Sequence, residues 1–257
     1  MNREEKRALS RNILKFHEIN FEKPATHQPI LDPKSAYFQY SRFYALVKEA
    51  KQVDFKTFLD VGCAEGMFLL AAKRLKLTCE TFGVDFSLGA LRKAQDFTQK
   101  TGSSLVRADA SHLPFRNQSF DVVLCSETLE HVVDDNAAMG ELSRVCGKLC
   151  LITVPSFNGK RGKLRFNPDV HCKRDSHLRK YLKSELQGNL SEHFRNLRVF
   201  NLSLWHLSTA AIILQSYLPN YIASKISKFF SIFAGFDYRL CKSGAHGHSF
   251  ICICLRY

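Results

Sequence analysis

The residues best placed to do chemistry begin in the stretch Phe58–Leu70, FLDVGCAEGMFLL. A short apolar run ends at Asp60-Val61, a turn with Gly62 and Gly66 follows, and helical apolar spacing starts. Glycines at a strand-to-helix turn let a ligand approach the backbone, and the helix start adds free N–H groups. The spacing excludes two common ligands. A dinucleotide turn needs G-x-G-x-x-G, and from Gly62 the next two glycine positions hold Ala64 and Met67. The phosphate-cradling G-x-x-x-x-G-K-[ST] is absent as well. What remains is a nucleoside ligand without a pyrophosphate, or a tight turn of purely structural use. Two carboxylates favour the ligand. Asp85 ends the next apolar run, 23 residues past Gly62, where an acid accepts hydrogen bonds from ribose hydroxyls in nucleotide-binding sheets. Asp109 follows a third run and has the chemistry to accept from an exocyclic adenine amine.

These residues need elements that bring them to one edge. Strands are expected at Thr57–Val61, Thr81–Val84, Ser104–Arg107, Phe120–Cys125, Lys148–Val154, Phe194–Leu204 and His248–Arg256. Helices are expected at Glu4–His17, Ser35–Ala50, Glu65–Leu75, Ser87–Gln99 with Ser87 as N-cap, Asn136–Val145 and Ser176–Leu186. Short apolar strands alternating with helices indicate βαβ units and a mostly parallel sheet covered on both faces. Ligands of such sheets bind beyond the carboxyl ends of the strands.

The order and spacing of these motifs resemble the class I S-adenosylmethionine-dependent methyltransferases, and within them the group that includes quinone-biosynthesis methyltransferases. The resemblance covers about residues 57–157. Asp60–Gly66, DVGCAEG, corresponds to the family's glycine-rich loop, with Ala64 where a middle glycine is usual. Asp85 falls at the ribose-binding acid, beside Phe86. Arg107-Ala108-Asp109-Ala110 falls at the adenine-contacting segment, and Leu113-Pro114-Phe115 continues it. Ser119–Val132, SFDVVLCSETLEHV, matches the fourth strand and the turn at the methionine end of the cofactor.

The resemblance implies an α/β, Rossmann-like methyltransferase fold: a mostly parallel seven-stranded sheet, helices on both faces, and an antiparallel last strand. It implies S-adenosyl-L-methionine as cofactor, held by Asp60, Gly62, Cys63, Ala64, Gly66, Asp85, Phe86, Asp109, Ala110 and Ser126. His131 follows the fourth strand and is the general-base candidate, since imidazole titrates near neutrality. Glu127 and Glu130 can orient it or the substrate. Glu127, in the turn after the fourth strand, and His171, in the substrate-side loop that the resemblance implies after the fifth, are the acceptor-binding candidates. His171, Cys172 and His177 form a loose metal pattern without a fourth ligand, and no metal site is expected.

The acceptor is less legible. The chain has 257 residues with 37 Lys+Arg against 24 Asp+Glu, a net charge of +13, and 45% apolar residues. That length and apolar content fit one methyltransferase domain spanning 1–257, with residues 1–50 as a helical cap, 57–157 as the cofactor-binding core and 205–241 as an apolar helical insertion. The charge and the basic run Lys160–Lys183 suit an anionic partner, but no base-reading module accompanies them. Ser126-Glu127-Thr128-Leu129 also stands where nucleic-acid methyltransferases of this family often carry an Asn/Asp-Pro-Pro-aromatic motif. Nucleic acid is therefore the weaker expectation, and a small, hydrophobic or lipid-like acceptor the stronger. The uncharged run Val199–Ser224 is long enough to cross a membrane but contains Asn201, His206, Gln215, Pro219 and Asn220. A pocket wall, or a peripheral membrane contact through 205–241, fits it better than a span. RNA or protein methylation, and a non-catalytic binding protein of the same fold, are the alternatives. Nine Cys, an odd number set mostly in apolar runs, argue against structural disulfides and for a reducing, cytoplasmic setting. Nothing signals assembly, so a monomer is the default.

Overall fold

The computed structural model describes residues 37–74, 80–99, 102–156, 177–204, 234–243 and 247–255. The expected helix Glu4–His17, the residue His171, most of the basic run Lys160–Lys183 and residues 205–233 of the insertion lie outside the described residues.

The elements in chain order are α1 (Tyr37–Ala50), β1 (Thr57–Val61), α2 (Met67–Arg74), β2 (Glu80–Asp85), α3 (Leu88–Thr98), β3 (Ser104–Arg107) and β4 (Phe120–Ser126). A 3-10 turn, Leu129–His131, precedes α4 (Asp135–Val145), β5 (Cys146–Pro155), α5 (Lys183–Ser191), β6 (Asn196–Leu204), α6 (Ala234–Lys242) and β7 (Gly247–Leu255). The seven strands form one sheet in the order β3-β2-β1-β4-β5-β7-β6. Strands β1 to β5 run parallel, and β7 is antiparallel to both its neighbours, β5 and β6. The expected fold is thus the observed one.

The sheet is apolar on both faces because each face is covered by helices. Successive residues of β5 alternate between them. Cys150 and Ile152 join the core beneath α4 and α5, with Met139, Leu142, Leu186 and Leu190. Leu149 and Leu151 join the core on the other face, with Leu46 of α1, Leu69 of α2, Leu91 of α3 and Tyr238 of α6. The seven described cysteines are all buried and free, five of them in the first of these cores. They act there as small apolar side chains.

Part of the insertion is therefore structural. The buried Ala234, Tyr238 and Cys241 of α6 face the protein interior. The Tyr238 ring meets Phe200 of β6 edge-on at 5.9 Å and Tyr44 of α1 at 6.4 Å. Such ring pairs contribute about 0.5–1.5 kcal/mol each beyond area burial. Buried Ser41 of α1 donates to Asp237 at 2.8 Å, and Tyr238 Oη donates to Glu49. The inward face of residues 234–241 is thus closed to a membrane, which restricts the expected contact through 205–241. Among the described residues, no helix is long and apolar enough to cross a membrane.

One expected helix is corrected. Residues 177–182 do not continue into α5; they run across the end of the 3-10 turn. Leu178 N–H donates to Glu130 O at 2.8 Å. Arg179 donates to the carbonyls of Leu129, Val132 and Val133, and Tyr181 bridges to Ser156. The residues contact the fold crosswise, so they give up the helical pattern that their polarity suggests.

Candidate cofactor and acceptor site

The loop after β1 is held by the strand beside it. Gly62 and Cys63 both donate N–H to Val84 O, at 2.8 and 2.9 Å, and Gly66 N–H closes the turn on Cys63 O at 2.8 Å. Gly62 and Gly66 adopt φ of +75° and +79°, and Ala64 adopts +48°. A Cβ on Gly62 would lie 2.2 Å from Thr128 Oγ1. Glycine is thus required there both by conformation and by the side chain packed over it. Ala64 tolerates the left-handed conformation usually given to glycine, which explains how the motif survives without its middle glycine.

Asp85 ties this loop to the next helix. Its Oδ2 accepts from Ala64 N–H at 2.9 Å and its Oδ1 from Ser87 N–H at 2.8 Å. Ser87 in turn caps α3 by accepting from Ala90 N–H at 3.1 Å. A carboxylate oxygen has two lone pairs, so such an acid can serve the loop and a ribose hydroxyl alike. Phe86, 37% exposed, lies beside it, its carbonyl held by Arg107 at 3.0 Å. Asp109, two residues past β3, stands on the same carboxyl edge of the parallel strands. Its Oδ1 accepts from Ser111 N–H at 2.9 Å and from Ser111 Oγ at 2.7 Å. Ala110 beside it is buried.

Beneath the loop is Asp60, 1% exposed. Its Oδ2 has no hydrogen-bond partner. Burial, followed by the charge of Asp85, pushes its carboxyl up to about 8. The same burial, with Asp60 and Asp85 nearby, raises the Cys63 thiol well above its ordinary range. Cys63 is therefore a neutral loop residue and not a nucleophile.

The other end of the site is built after β4. Ser126 Oγ pairs with Thr153 Oγ1 at 3.0 Å. Glu127 follows at φ +52°, its N–H held by Thr153 O at 2.9 Å. Its carboxylate meets Arg42 of α1 at 3.3 Å, so α1 reaches the site. Glu130 is 1% exposed and neither carboxylate oxygen has a hydrogen-bond partner. Burial and then Glu127 hold its carboxyl well above the usual range. His131 is half-buried, and its ring meets His177 edge-on at 4.8 Å between centroids. The ligand atoms of Glu130, His131 and His177 lie within 4.8 Å of one another. The lone base expected at His131 is therefore one member of a cluster of three.

A clamp not foreseen from the sequence holds the Asp109 segment. Arg144 of α4 donates to both carboxylate oxygens of Glu141, at 2.6 and 2.7 Å. It also donates to Phe115 O, Asn117 Oδ1 and Leu113 O. Glu141 accepts in addition from Leu113 N–H at 2.7 Å. A cavity of about 360 Å³ between Gln118, His193, Arg195 and Leu255 opens at the opposite, amino edge of the parallel strands. It plays no part in this site.

Residues 59–150 match the family model described as a methyltransferase domain. A demethylmenaquinone methyltransferase of Lactiplantibacillus plantarum is 37% identical over 92 residues, 34% of this chain and 39% of that protein. A 2-phytyl-1,4-naphtoquinone methyltransferase of Nostoc punctiforme is 35% identical over 94 residues, 35% of this chain and 41% of that protein. The likeness thus spans about two fifths of the length of these relatives. The structure of Haemonchus contortus phosphoethanolamine N-methyltransferase 2 with S-adenosyl-L-methionine superposes with a TM-score of 0.61 at 16% identity. It covers 86% of this chain and 56% of that one, and shows the shared fold.

Residues 59–150 thus match a methyltransferase domain, and the sheet has the Rossmann-like fold seen in the structures of S-adenosylmethionine-dependent methyltransferases. The ligand that the resemblance implies is S-adenosyl-L-methionine. The residues fit that molecule: a glycine turn without pyrophosphate spacing, Asp85 for the ribose, and a buried, unpartnered Asp60 oxygen suited to a cationic ligand.

Proposed function

We propose that the protein methylates a small, apolar acceptor of the quinol or lipid-like class. The carrying observation is the shared carboxyl edge. On it stand the Gly62–Gly66 turn, Asp85 and Asp109, and the Glu127–His131 turn follows the adjacent strand β4. When bound, the cofactor supplies a methyl group already activated on a sulfonium. The protein then has to orient the acceptor, which supplies up to about 7–11 kcal/mol, and to help an oxygen or nitrogen lose its proton. Asp60, Gly62, Cys63, Ala64, Gly66, Asp85, Phe86, Asp109, Ala110 and Ser126 hold the cofactor. Glu127, Glu130 and His131 act at the acceptor end.

The quinone-methyltransferase relatives support the acceptor class. The free, buried cysteines support a reducing, cytoplasmic setting. The net charge of +13 favours a second reading, RNA or protein methylation. One experiment decides. Purified protein and isotope-labelled methyl donor are incubated with cell extract, and label is followed into lipid, small-molecule, RNA and protein fractions. Label in the organic-extractable fraction is expected. Label confined to RNA or protein rejects the apolar acceptor. Cofactor binding without label anywhere identifies a non-catalytic binding protein.

A further inference from the structure

The structure assigns a divalent metal site to Glu130, His131 and His177. It rests on the acceptor end of the site just proposed, but its test does not depend on turnover. The three side chains come from two segments that only the fold brings together: the 3-10 turn after β4, and the strand-like stretch 177–181 laid across it. That crossing is firmly held. Leu178 N–H donates to Glu130 O at 2.8 Å, and Arg179 holds the carbonyls of Leu129, Val132 and Val133 while meeting Asp135 at 3.5 Å. The backbones of the ligand-bearing residues are therefore fixed before any ion arrives, as a tight site requires.

Two observations point to a cation. First, one ligand atom from each residue lies within 4.8 Å of the others. Metal bonds of about 2.0–2.2 Å leave donor atoms about 3–4 Å apart, so small rotations of the side chains close the set. Second, Glu130 is 1% exposed and both of its carboxylate oxygens lack a hydrogen bond. A buried carboxylate is costly unless it is paired or coordinates a metal. Here it stands beside two imidazoles. The two guanidiniums that act on it are engaged elsewhere, Arg42 with Glu127 and Arg179 with backbone carbonyls and Asp135. Two imidazoles and one carboxylate suit zinc and its neighbours Mn²⁺, Fe²⁺ and Co²⁺ better than magnesium or calcium, which prefer oxygen. Three protein ligands leave coordination positions open, the mark of catalytic rather than structural sites. An oxygen of the acceptor is the natural fourth ligand, and its binding there would acidify a hydroxyl without a lone general base.

The test uses the tag-free full chain, stripped with chelator, and titrated with Zn²⁺ and with Co²⁺ as a spectroscopic probe. One equivalent per chain is expected, with a visible Co²⁺ absorption that Zn²⁺ displaces. His177→Ala and His131→Ala should each weaken binding at least 100-fold, and Glu130→Gln at least 10-fold. All three should still bind S-adenosylhomocysteine, because none touches the Gly62–Gly66 turn. Glu130→Gln should also fold at least as stably as the parent in the absence of metal, since it removes an unpaired buried carboxyl. No stoichiometric uptake by a chain that binds the cofactor product overturns the site. So does equal uptake by the parent and by His177→Ala. Stoichiometric metal with no methylated product in any fraction leaves the site standing and rejects the methylation reading instead.

Discussion

Replacing Asp60 by Asn isolates one carboxyl whose behaviour the fold dictates. Its carboxyl lies at about 8 instead of 3.8, chiefly through burial and then through Asp85. Free protein at pH 7 therefore holds this proton in about nine molecules of ten. A ligand ammonium set against the unpartnered oxygen favours the ionised form. Binding of S-adenosylhomocysteine, which carries that ammonium, should then release about 0.9 proton at pH 7, and affinity should rise up to about tenfold per pH unit from about pH 5.5 to 7.5. Calorimetry in two buffers of different ionisation enthalpy reads the proton directly. Asp60→Asn should release none and show a flat pH profile. The free protein shows the other side of the linkage. A folded-state value raised above the unfolded one contributes stability fully below about pH 4 and loses it as pH rises through about 8. One unit corresponds to about 1.4 kcal/mol, so the difference across that window is on the order of 6 kcal/mol. Denaturant titrations of the parent should fall relative to Asp60→Asn over that range. Proton release near zero in the parent, or the same pH slope in both proteins, would refute the reasoning.

Three further outcomes follow from named contacts. Gly62→Ala places a Cβ 2.2 Å from Thr128 Oγ1 at a φ of +75°. It should cost about 2–5 kcal/mol in urea unfolding, from left-handed strain plus overpacking, and abolish cofactor binding. Asp85→Asn turns an NH₂ toward the N–H of Ala64 or Ser87. A cost of about 1–3 kcal/mol is expected, with cofactor affinity lowered at least tenfold by calorimetry. Arg144→Lys cannot reproduce the fork that holds Glu141 and three groups of the Leu113–Asn117 segment. A loss of about 2 kcal/mol is expected, together with faster amide exchange at residues 109–117.

The sheet was legible because its strands are apolar, short and separated by helical spacing. Thr57–Val61 and Ser104–Arg107 carry the expected bounds, and Ser87 caps its helix as its type suggests. The strand β5 begins at Cys146, two residues earlier than expected, because the pairing with β4 continues past Gly147. Gly147 sits in a bulge, where Phe120 pairs with Cys146 and Val122 with Leu149. The cofactor end was legible for a similar reason: its loop is one continuous segment, and Asp85 and Asp109 each follow a strand. The acceptor end was not. His177 and His131 are 46 residues apart, and the crossing that joins them is a tertiary arrangement which local spacing does not encode. Thr128 over Gly62 is hidden in the same way. The Glu141–Arg144 clamp did leave a sign, an acid and a base three residues apart on one helix, but nothing local says that its free donors reach residues 113–117.

The position of β7 governs assembly. It is the latest of the described strands in the chain, yet it lies inside the sheet, with β5 on one side and β6 on the other. Until Gly247–Leu255 leaves the ribosome, β5 presents an open hydrogen-bonding edge and β6 lacks the strand it pairs with. Because β5 closes at Pro155 and β7 opens at Gly247, zipping them together is a late, long-range and slow event. A nascent chain halted before residue 247 would expose Leu149–Val154 as an unpaired apolar ribbon, the kind of edge that recruits chaperones or seeds aggregation.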